Sequence, residues 1–187
     1  MPTYGERHLE FIRGKGCYLY TSKRKKYLDF AAGIAVNSLG HCHPKLVKAL
    51  KKQSENLWHT SNLYYNRNQE EYAKILCKKT FADKVFFTNS GAEAIECGLK
   101  IIKSYWNLKN KNKKNIITFK GAFHGRTFAA LSAQNNKKYS EDFSPLLKGF
   151  KNIPFNDEVV LNNNINSHTA AILIEPIQGE GGIRPAS

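Results

Sequence analysis

The stretch Val85-Phe86-Phe87-Thr88-Asn89-Ser90-Gly91-Ala92-Glu93-Ala94-Ile95 decides the fold class. Residues 85–88 read as a short buried strand, Asn89, Ser90 and Gly91 turn the chain, and a helix is predicted over 92–108. Ile95, Leu99, Ile102 and Trp106 recur along it at helical spacing. Outward from this unit the alternation continues. Residues 116–119 are predicted as a strand, a glycine-bearing loop follows, and 127–133 read as a helix. After a long connection, residues 170–174 form another apolar strand. Strands alternating with helices imply an α/β fold with a parallel sheet and right-handed crossovers.

Three loops after these strands carry the chemistry. In Thr88-Asn89-Ser90-Gly91-Ala92-Glu93, a strand gives way to a long helix, whose first amides have no intrahelical acceptor and whose dipole favours an anion. Gly91 and Ala92 admit an anion close to the backbone, and Ser90 adds a hydroxyl donor. The spacing matches neither the Walker loop nor G-x-G-x-x-G, and an ordinary strand-to-helix turn is the competing reading. The second loop, Gly121-Ala122-Phe123-His124-Gly125-Arg126-Thr127, is predicted at the same carboxyl edge, where open α/β sheets bind ligands. Phe123 offers a flat ring, with core packing as its alternative, and Arg126 offers a bidentate fork for a carboxylate. The third, Glu175-Pro176-Ile177-Gln178-Gly179-Glu180-Gly181-Gly182, is a glycine-rich loop with two carboxylates. It suits a mobile gate for a charged substrate, or else is a flexible solvated loop.

The first 60 or so residues are organised differently. CYLY at 17–20 and YLDF at 27–30, joined by TSKRKK, are predicted as a small hairpin. His43-Pro44 starts a helix with proline in its first position, and Leu46, Val47, Leu50 and Leu57 supply its apolar stripe. A second helix is predicted from Asn68 as cap, with Glu71 completing a capping box and Tyr72, Ile75 and Leu76 facing inward. Two histidines flank a cysteine at 41–43, but no further ligands sit at finger spacing, so no metal is expected.

Composition narrows the function classes. The chain has 187 residues, 29 Lys plus Arg against 15 Asp plus Glu, and a net charge of +14. Such a charge is a nucleic-acid footprint. However, 23 of the basic residues are lysine and only 6 arginine, with 18 asparagines besides. That pattern reads as lysine placed wherever a polar surface residue is allowed. A basic nucleic-acid-binding module is therefore the rival reading, not the leading one. The longest apolar run, residues 170–174, is far shorter than the roughly 18–20 residues of a membrane helix. The start MPTYGERHLE has no apolar core for a secretory signal. Four cysteines without a C-x-x-C fit a reducing cytoplasm.

A phosphate cradle, an aromatic platform and a carboxylate clamp at one sheet edge fit a phosphorylated aromatic cofactor acting on an anionic substrate. Pyridoxal 5'-phosphate is the economical candidate. In GKGCYLY, YLDFAAGIAVNSLGHCHPKLVKAL, LWHTSNLYYN, FFTNSGAEAIECGLK, FKGAFHGRT, PFNDE and ILIEPIQGEGGI, the chain resembles the class III, fold-type I, pyridoxal-phosphate aminotransferases over essentially its whole length. The resemblance implies that Ser90, Gly91 and Ala92 bind the cofactor phosphate, that Phe123 stacks on its ring and that His124 belongs to the same cofactor-binding set. It implies Arg126 as the holder of a substrate carboxylate. Glu180 would be a gate, paired in relatives with a distal arginine and swung aside when 2-oxoglutarate enters. It further implies a homodimer.

GIAVN followed by GHCHP, Ile34 where ornithine-type members place a tyrosine, and FHGRT in place of FWGRT stand nearest the members that move the δ-amino group of N-acetylornithine to 2-oxoglutarate in arginine biosynthesis. Ornithine, succinylornithine and succinyldiaminopimelate remain open as donors. In the family, the Schiff-base lysine and the aspartate facing the pyridine nitrogen follow the EPIQGEGG loop. They are expected beyond Ser187, and none of the 23 lysines here is assigned as catalytic. The chain is accordingly expected to be an N-terminal fragment, inactive alone and with exposed apolar edges, or else a non-catalytic relative. It would comprise an N-terminal segment over 1–62 and, over 63–187, the first part of a large, mostly parallel-sheet cofactor domain.

Overall fold

The computed structural model describes residues 4–187. They form two compact units, one up to Tyr72 and one from Ala73 on.

The first unit is built on a three-stranded antiparallel sheet, β1 (Phe11–Lys15), β2 (Tyr18–Thr21) and β3 (Lys26–Leu28), in that order. The predicted hairpin is β2–β3, with Tyr18 opposite Leu28 and Tyr20 opposite Lys26. Strand β1 was not legible in the sequence, because Arg13, Gly14 and Lys15 break any apolar alternation. Its glycine has a steric reason: a Cβ on Gly14 would lie 2.6 Å from Cγ of His41. His41 exchanges backbone hydrogen bonds with Gly16 at 3.0 and 2.7 Å, and its Nε2 lies 2.7 Å from Oδ2 of Asp29. The other Asp29 oxygen accepts the amides of Ala31 and Ala32 at 2.9 and 3.0 Å. Asp29 thereby anchors the next turn, where Ala32, Gly33, Ile34 and Ala35 all have φ between 47° and 64°. Left-handed backbone costs an L-residue about 1–2 kcal/mol, so the turn needs this support.

Helix α1 (Pro44–Ser54) starts at Pro44 as predicted, after His43. Helix α2 (Arg67–Lys79) starts earlier than predicted. Its cap is Asn66, whose Oδ1 accepts the Gln69 amide at 3.1 Å, whereas Asn68 lies inside the helix and its side chain reaches Gln53. Two asparagines two residues apart offer two capping registers, and the chain uses the first. The stripes predicted to face inward are largely exposed: Leu46, Leu50, Leu57, Tyr72 and Ile75 are all half or more accessible.

The second unit is α/β. Helix α3 (Gly91–Leu108) leads to β4 (Asn115–Phe119), α4 (Phe128–Gln134), the single turn α5 (Lys137–Ser140), β5 (Phe150–Ile153), α6 (Glu158–Asn164) and β6 (Thr169–Ile172). The three strands pair in parallel in the order β5–β4–β6. A short antiparallel pair, β7 (Ile177–Gln178) and β8 (Arg184–Pro185), follows. The core is Ile117, Phe119 and Ile153, with Phe155 and, from α6, Val160 and Leu161 against it. Trp106 pins α3 to β6 by donating Nε1–H to the Ala170 carbonyl at 2.8 Å. The predicted helical stripe holds: Leu99 is buried and Ile95, Ile102 and Trp106 are half-buried, while Tyr105 and Leu108 point outward.

Two strand readings need correction. Residues 85–88 form no sheet strand, and Phe86 is 75% exposed. An extended segment becomes a strand only beside a ladder partner, and no strand of this unit flanks it. Conversely, β5 lay hidden in the long connection, because FKNI alternates too weakly to announce a strand.

The Asp29–His41 pair yields a prediction. The His41 hydrogen bond, then the Ala32 amide, hold the Asp29 carboxyl below the usual carboxylate range. A depressed carboxyl stabilises the folded state above its unfolded value, and that contribution disappears as pH falls through the folded value. Asp29→Ala is expected to lower the thermal midpoint at pH 7 and to remove this acid-dependent part of the unfolding curve, as measured by circular dichroism between pH 2.5 and 7.

Candidate functional site

A cavity of about 650 Å³ opens at the carboxyl edge of β4 and β6. Three segments wall it: the first turn of α3 with Gly91 and Ala92, the loop after β4 from Phe123 to Arg126, and residues 173–177 after β6. Parallel pairing accounts for the convergence, since β4 and β6 run the same way and end on the same side.

The first wall is a capped helix start. Ser90 Oγ accepts the Glu93 amide at 3.2 Å, and the Glu93 carboxylate in turn accepts the Asn89 amide at 2.7 Å. This reciprocal capping fixes the turn and leaves the Ser90 hydroxyl hydrogen to donate elsewhere. Gly91 and Ala92 line the cavity; Ser90 stands at its margin, outside the lining.

The second wall comes close because of one glycine. Gly125 has φ +125°, and a Cβ there would lie 2.9 Å from the Ala92 Cβ and 3.1 Å from its Cα. Glycine alone lets the loop touch the start of α3. Beside it His124 is 5% exposed, and its amide donates to Oε1 of Gln134 at 2.9 Å. Burial holds its imidazole below the usual histidine range, so the ring is neutral at pH 7. Its Nε2 is buried without a protein partner. The Phe123 ring is about one-third exposed, and the Arg126 guanidinium lies 5.4 Å from its centroid. Arg126 also lies 4.0 Å from the centre of the Tyr139 ring.

The third wall supplies a carboxylate. Glu175 Oε1 accepts the Phe123 amide at 2.9 Å, which ties the two loops together. Its Oε2 is buried without a protein partner. Burial raises the Glu175 carboxyl above the usual range, and the Phe123 amide partly offsets this. Glu180 does not line the cavity. Its Oε1 accepts the Tyr139 hydroxyl at 2.9 Å, and so it connects to Arg126 through that ring.

Of the residues singled out in the sequence, the structure brings Gly91, Ala92, Phe123, His124 and Arg126 to one cavity and places Ser90 and Glu180 beside it. Sequence reasoning missed Gln134, Gln178 and Tyr139. Gln178 is fully buried and donates to the Lys120 carbonyl at 3.1 Å, holding the third loop against the second. It stood within a motif already noted, next to a glycine run. Gln134, on a helix of small residues, and Tyr139, 41 positions from its partner Glu180, carried no local signal. Among the described residues no group of three or more His, Cys, Asp or Glu could hold a metal ion, and no helix is long and apolar enough to cross a membrane.

Known proteins resemble this chain in sequence and fold. The family model for class-III aminotransferases matches residues 2–187. The acetylornithine aminotransferase of Agrobacterium fabrum is 56% identical over 183 residues, covering 97% of this chain and 46% of that protein. That of Clostridium acetobutylicum is 50% identical over 187 residues, covering all of this chain and 48% of that protein. The N-acetylornithine aminotransferase structure from Stenotrophomonas maltophilia superposes with a TM-score of 0.81 at 39% identity, over 97% of this chain and 45% of that one. An ornithine aminotransferase from Toxoplasma gondii, with pyridoxal phosphate at partial occupancy in its active site, superposes with a TM-score of 0.92 at 30% identity, over all of this chain and 45% of that one. The chain thus spans about half the length of the relatives it matches.

Two predictions follow from the geometry. Gly125→Ala forces a Cβ onto Ala92 and is expected to cost about 1–3 kcal/mol, the usual range for overpacking and backbone strain, measured by denaturant unfolding. For Glu175, a raised carboxyl stabilises the fold only while protonated, and that contribution fades as pH rises through the folded value. Glu175→Gln keeps an acceptor for the Phe123 amide and removes the buried charge. It is expected to melt at or above the wild-type temperature at pH 7.5, with the margin closing toward pH 4.5.

Proposed function

The chain belongs to the class III aminotransferases and has the α/β architecture of the fold-type I pyridoxal-phosphate transaminases; from that premise we propose that it forms the cofactor and carboxylate-binding half of an enzyme that moves the δ-amino group of N-acetylornithine to 2-oxoglutarate, as a step of arginine biosynthesis. One observation carries this reading: a single cavity gathers a helix start, a phenylalanine ring about one-third exposed and an arginine fork, in a chain 50–56% identical to acetylornithine aminotransferases.

The residues suit pyridoxal phosphate. The amides at Gly91 and Ala92 and the Ser90 hydroxyl would take its phosphate, aided by the α3 dipole. Phe123 would lie against its ring. Two of the buried polar atoms without protein partners, His124 Nε2 and Glu175 Oε2, belong to residues that line the cavity and match a ligand that brings polar groups of its own. His124, neutral, would accept or donate without adding charge. Bound there, the cofactor would supply the electron sink that amino transfer needs.

The protein's own contribution is positioning. Glu175 fixes the Phe123 amide and hence the platform. Gly125 sets the distance from platform to helix start. Arg126 presents a planar fork to a substrate carboxylate, and Glu180, on a glycine loop, acts as the gate for the second carboxylate of 2-oxoglutarate. No lysine of this chain is assigned the covalent role; the Schiff-base lysine belongs to the part of the family that follows this loop. Residues 1–62 would form the N-terminal segment and 63–187 the first part of the large domain, with the working protein a cytoplasmic homodimer. The basic charge then reflects composition and not a nucleic-acid surface.

Ile34 and FHGRT favour the acetylated donor. An amino-transfer assay on the enzyme that includes the lysine-bearing half, supplied with pyridoxal phosphate and 2-oxoglutarate, should compare N-acetylornithine, ornithine and succinyldiaminopimelate. N-acetylornithine is expected to lead in kcat/KM by about tenfold or more, the discrimination a dedicated pocket supplies. Ornithine or succinyldiaminopimelate in the lead would reassign the donor. Transfer to 2-oxoglutarate from none of them would overturn the reading.

A further inference from the structure

We propose that Gln134 is a positioning residue for the cofactor platform: together with Glu175 it fixes the two peptide planes on either side of Phe123 and so sets the direction of that ring. The inference rests on the reading of Phe123 as the surface against which pyridoxal phosphate lies, and it adds a residue that reading does not contain.

A residue's direction is set by the peptide planes before and after it, because only φ and ψ turn freely between them. Both planes at Phe123 are held by side chains from elsewhere in the fold. The amide of the plane before it, the Phe123 N–H, donates to Oε1 of Glu175 at 2.9 Å. The amide of the plane after it, the His124 N–H, donates to Oε1 of Gln134 at 2.9 Å. The first acceptor comes from the segment after β6 and the second from the last residue of α4. Gln134 is in turn fastened to the sheet. It is 1% exposed, and its carbonyl accepts Nδ2 of Asn152 at 3.3 Å, which also donates to Thr118 Oγ1 at 3.2 Å. Asn152 and Thr118 are register partners on β5 and β4. The acceptor for the second plane is thereby tied to the same strand that releases the loop.

Taking that acceptor away frees the second plane. His124 is 5% exposed, so its amide would be left buried without a partner, which costs free energy. The next residue, Gly125, resists rotation of that plane less than any other residue type would. The plane then turns toward a new acceptor, ψ of Phe123 changes, and the ring leaves the direction it has in the cavity wall. A carboxamide suits the task. It accepts without adding charge beside the neutral His124 imidazole, and its Nε2 has no protein partner, which leaves the Oε1 bond as its polar tie to the loop.

The test is titration of the apoenzyme, with its lysine-bearing half, by pyridoxal phosphate, followed through the circular dichroism of the bound cofactor. Gln134→Met keeps length and volume but removes the acceptor. It is expected to weaken cofactor binding about tenfold, the scale of one lost hydrogen bond, and to change the dichroism of the cofactor that does bind. Gln134→Asn, one methylene too short to reach, should lose about as much and carries the comparison where the methionine variant does not fold. Gln134→Glu leaves an oxygen to accept in either protonation state and is expected to stay within about threefold of wild type, less than the loss of a hydrogen bond. The decisive variant is Gln134→Met combined with Phe123→Ala. With the ring gone, the Gln134 change should cost no more than about twofold beyond Phe123→Ala alone, as residues acting through one another require. A Gln134→Met loss undiminished on Phe123→Ala would make Gln134 a packing residue and overturn the proposal. So would Gln134→Glu binding as weakly as Gln134→Met, or Gln134→Met binding like wild type. Wild-type apoenzyme that takes up no pyridoxal phosphate, or Phe123→Ala that takes it up like wild type, would overturn the platform reading itself, and the proposal with it.

Discussion

The parallel pairing of β4 with both neighbours is the constraint on which the candidate site depends. Ile116 to Phe119 pair with β5 along one edge and Asn115 to Ile117 with β6 along the other, and Ile117 is fully buried. A strand so enclosed cannot slip by one residue without turning its core side chains to the other face. Its register therefore fixes where the loop carrying Phe123, His124, Gly125 and Arg126 begins. The same register fixes where β6 releases Glu175. The amide-to-carboxylate bond between those two loops is the first consequence of the sheet, and the cavity is the second.

Around that cavity, polarity is arranged by burial more than by charge. His124 and Glu175 are both pushed toward their neutral forms by loss of water, and each keeps one polar atom without a protein partner. Such atoms cost free energy in the unliganded protein. A ligand that meets them recovers it, which is how a fold stores binding free energy in advance of binding. Arg126 is different: it stays at the rim, seated on aromatic rings, where its charge is solvated and its fork is free.

What could be read from the sequence followed the length scale of the interaction. The start of α3 was legible because its determinants, Ser90, Gly91 and Glu93, lie within four residues of one another. The loop from Gly121 to Thr127 was legible for the same reason, and the helical stripe from Ile95 to Trp106 because periodicity is a local signal. Residues 85–88 misled because a strand is not a local property: Val85 and Phe86 have the composition of one but no neighbour to pair with. The inward faces assigned to α1 and α2 failed likewise, since an apolar stripe states a need for cover and not its presence. Of the site, Ser90, Gly91, Phe123 and Arg126 could be nominated from their own neighbourhoods. Gln134 and Tyr139 could not, because each owes its position to a contact made across the fold.

The left-handed turn at Ala32 to Ala35 has a consequence beyond the sheet it borders. A β-branched residue, Ile34, is held there at φ 59° with its side chain 92% exposed, and the turn's entry is secured by one carboxylate accepting two amides. Strain concentrated in so short a segment, with a single anionic latch, makes it a weak link that acid releases first. Once Asp29 takes up a proton, residues 31–37 should open to proteases while the sheets still stand, so that the chain's first acid cleavage would fall at this turn and mark the latch from outside.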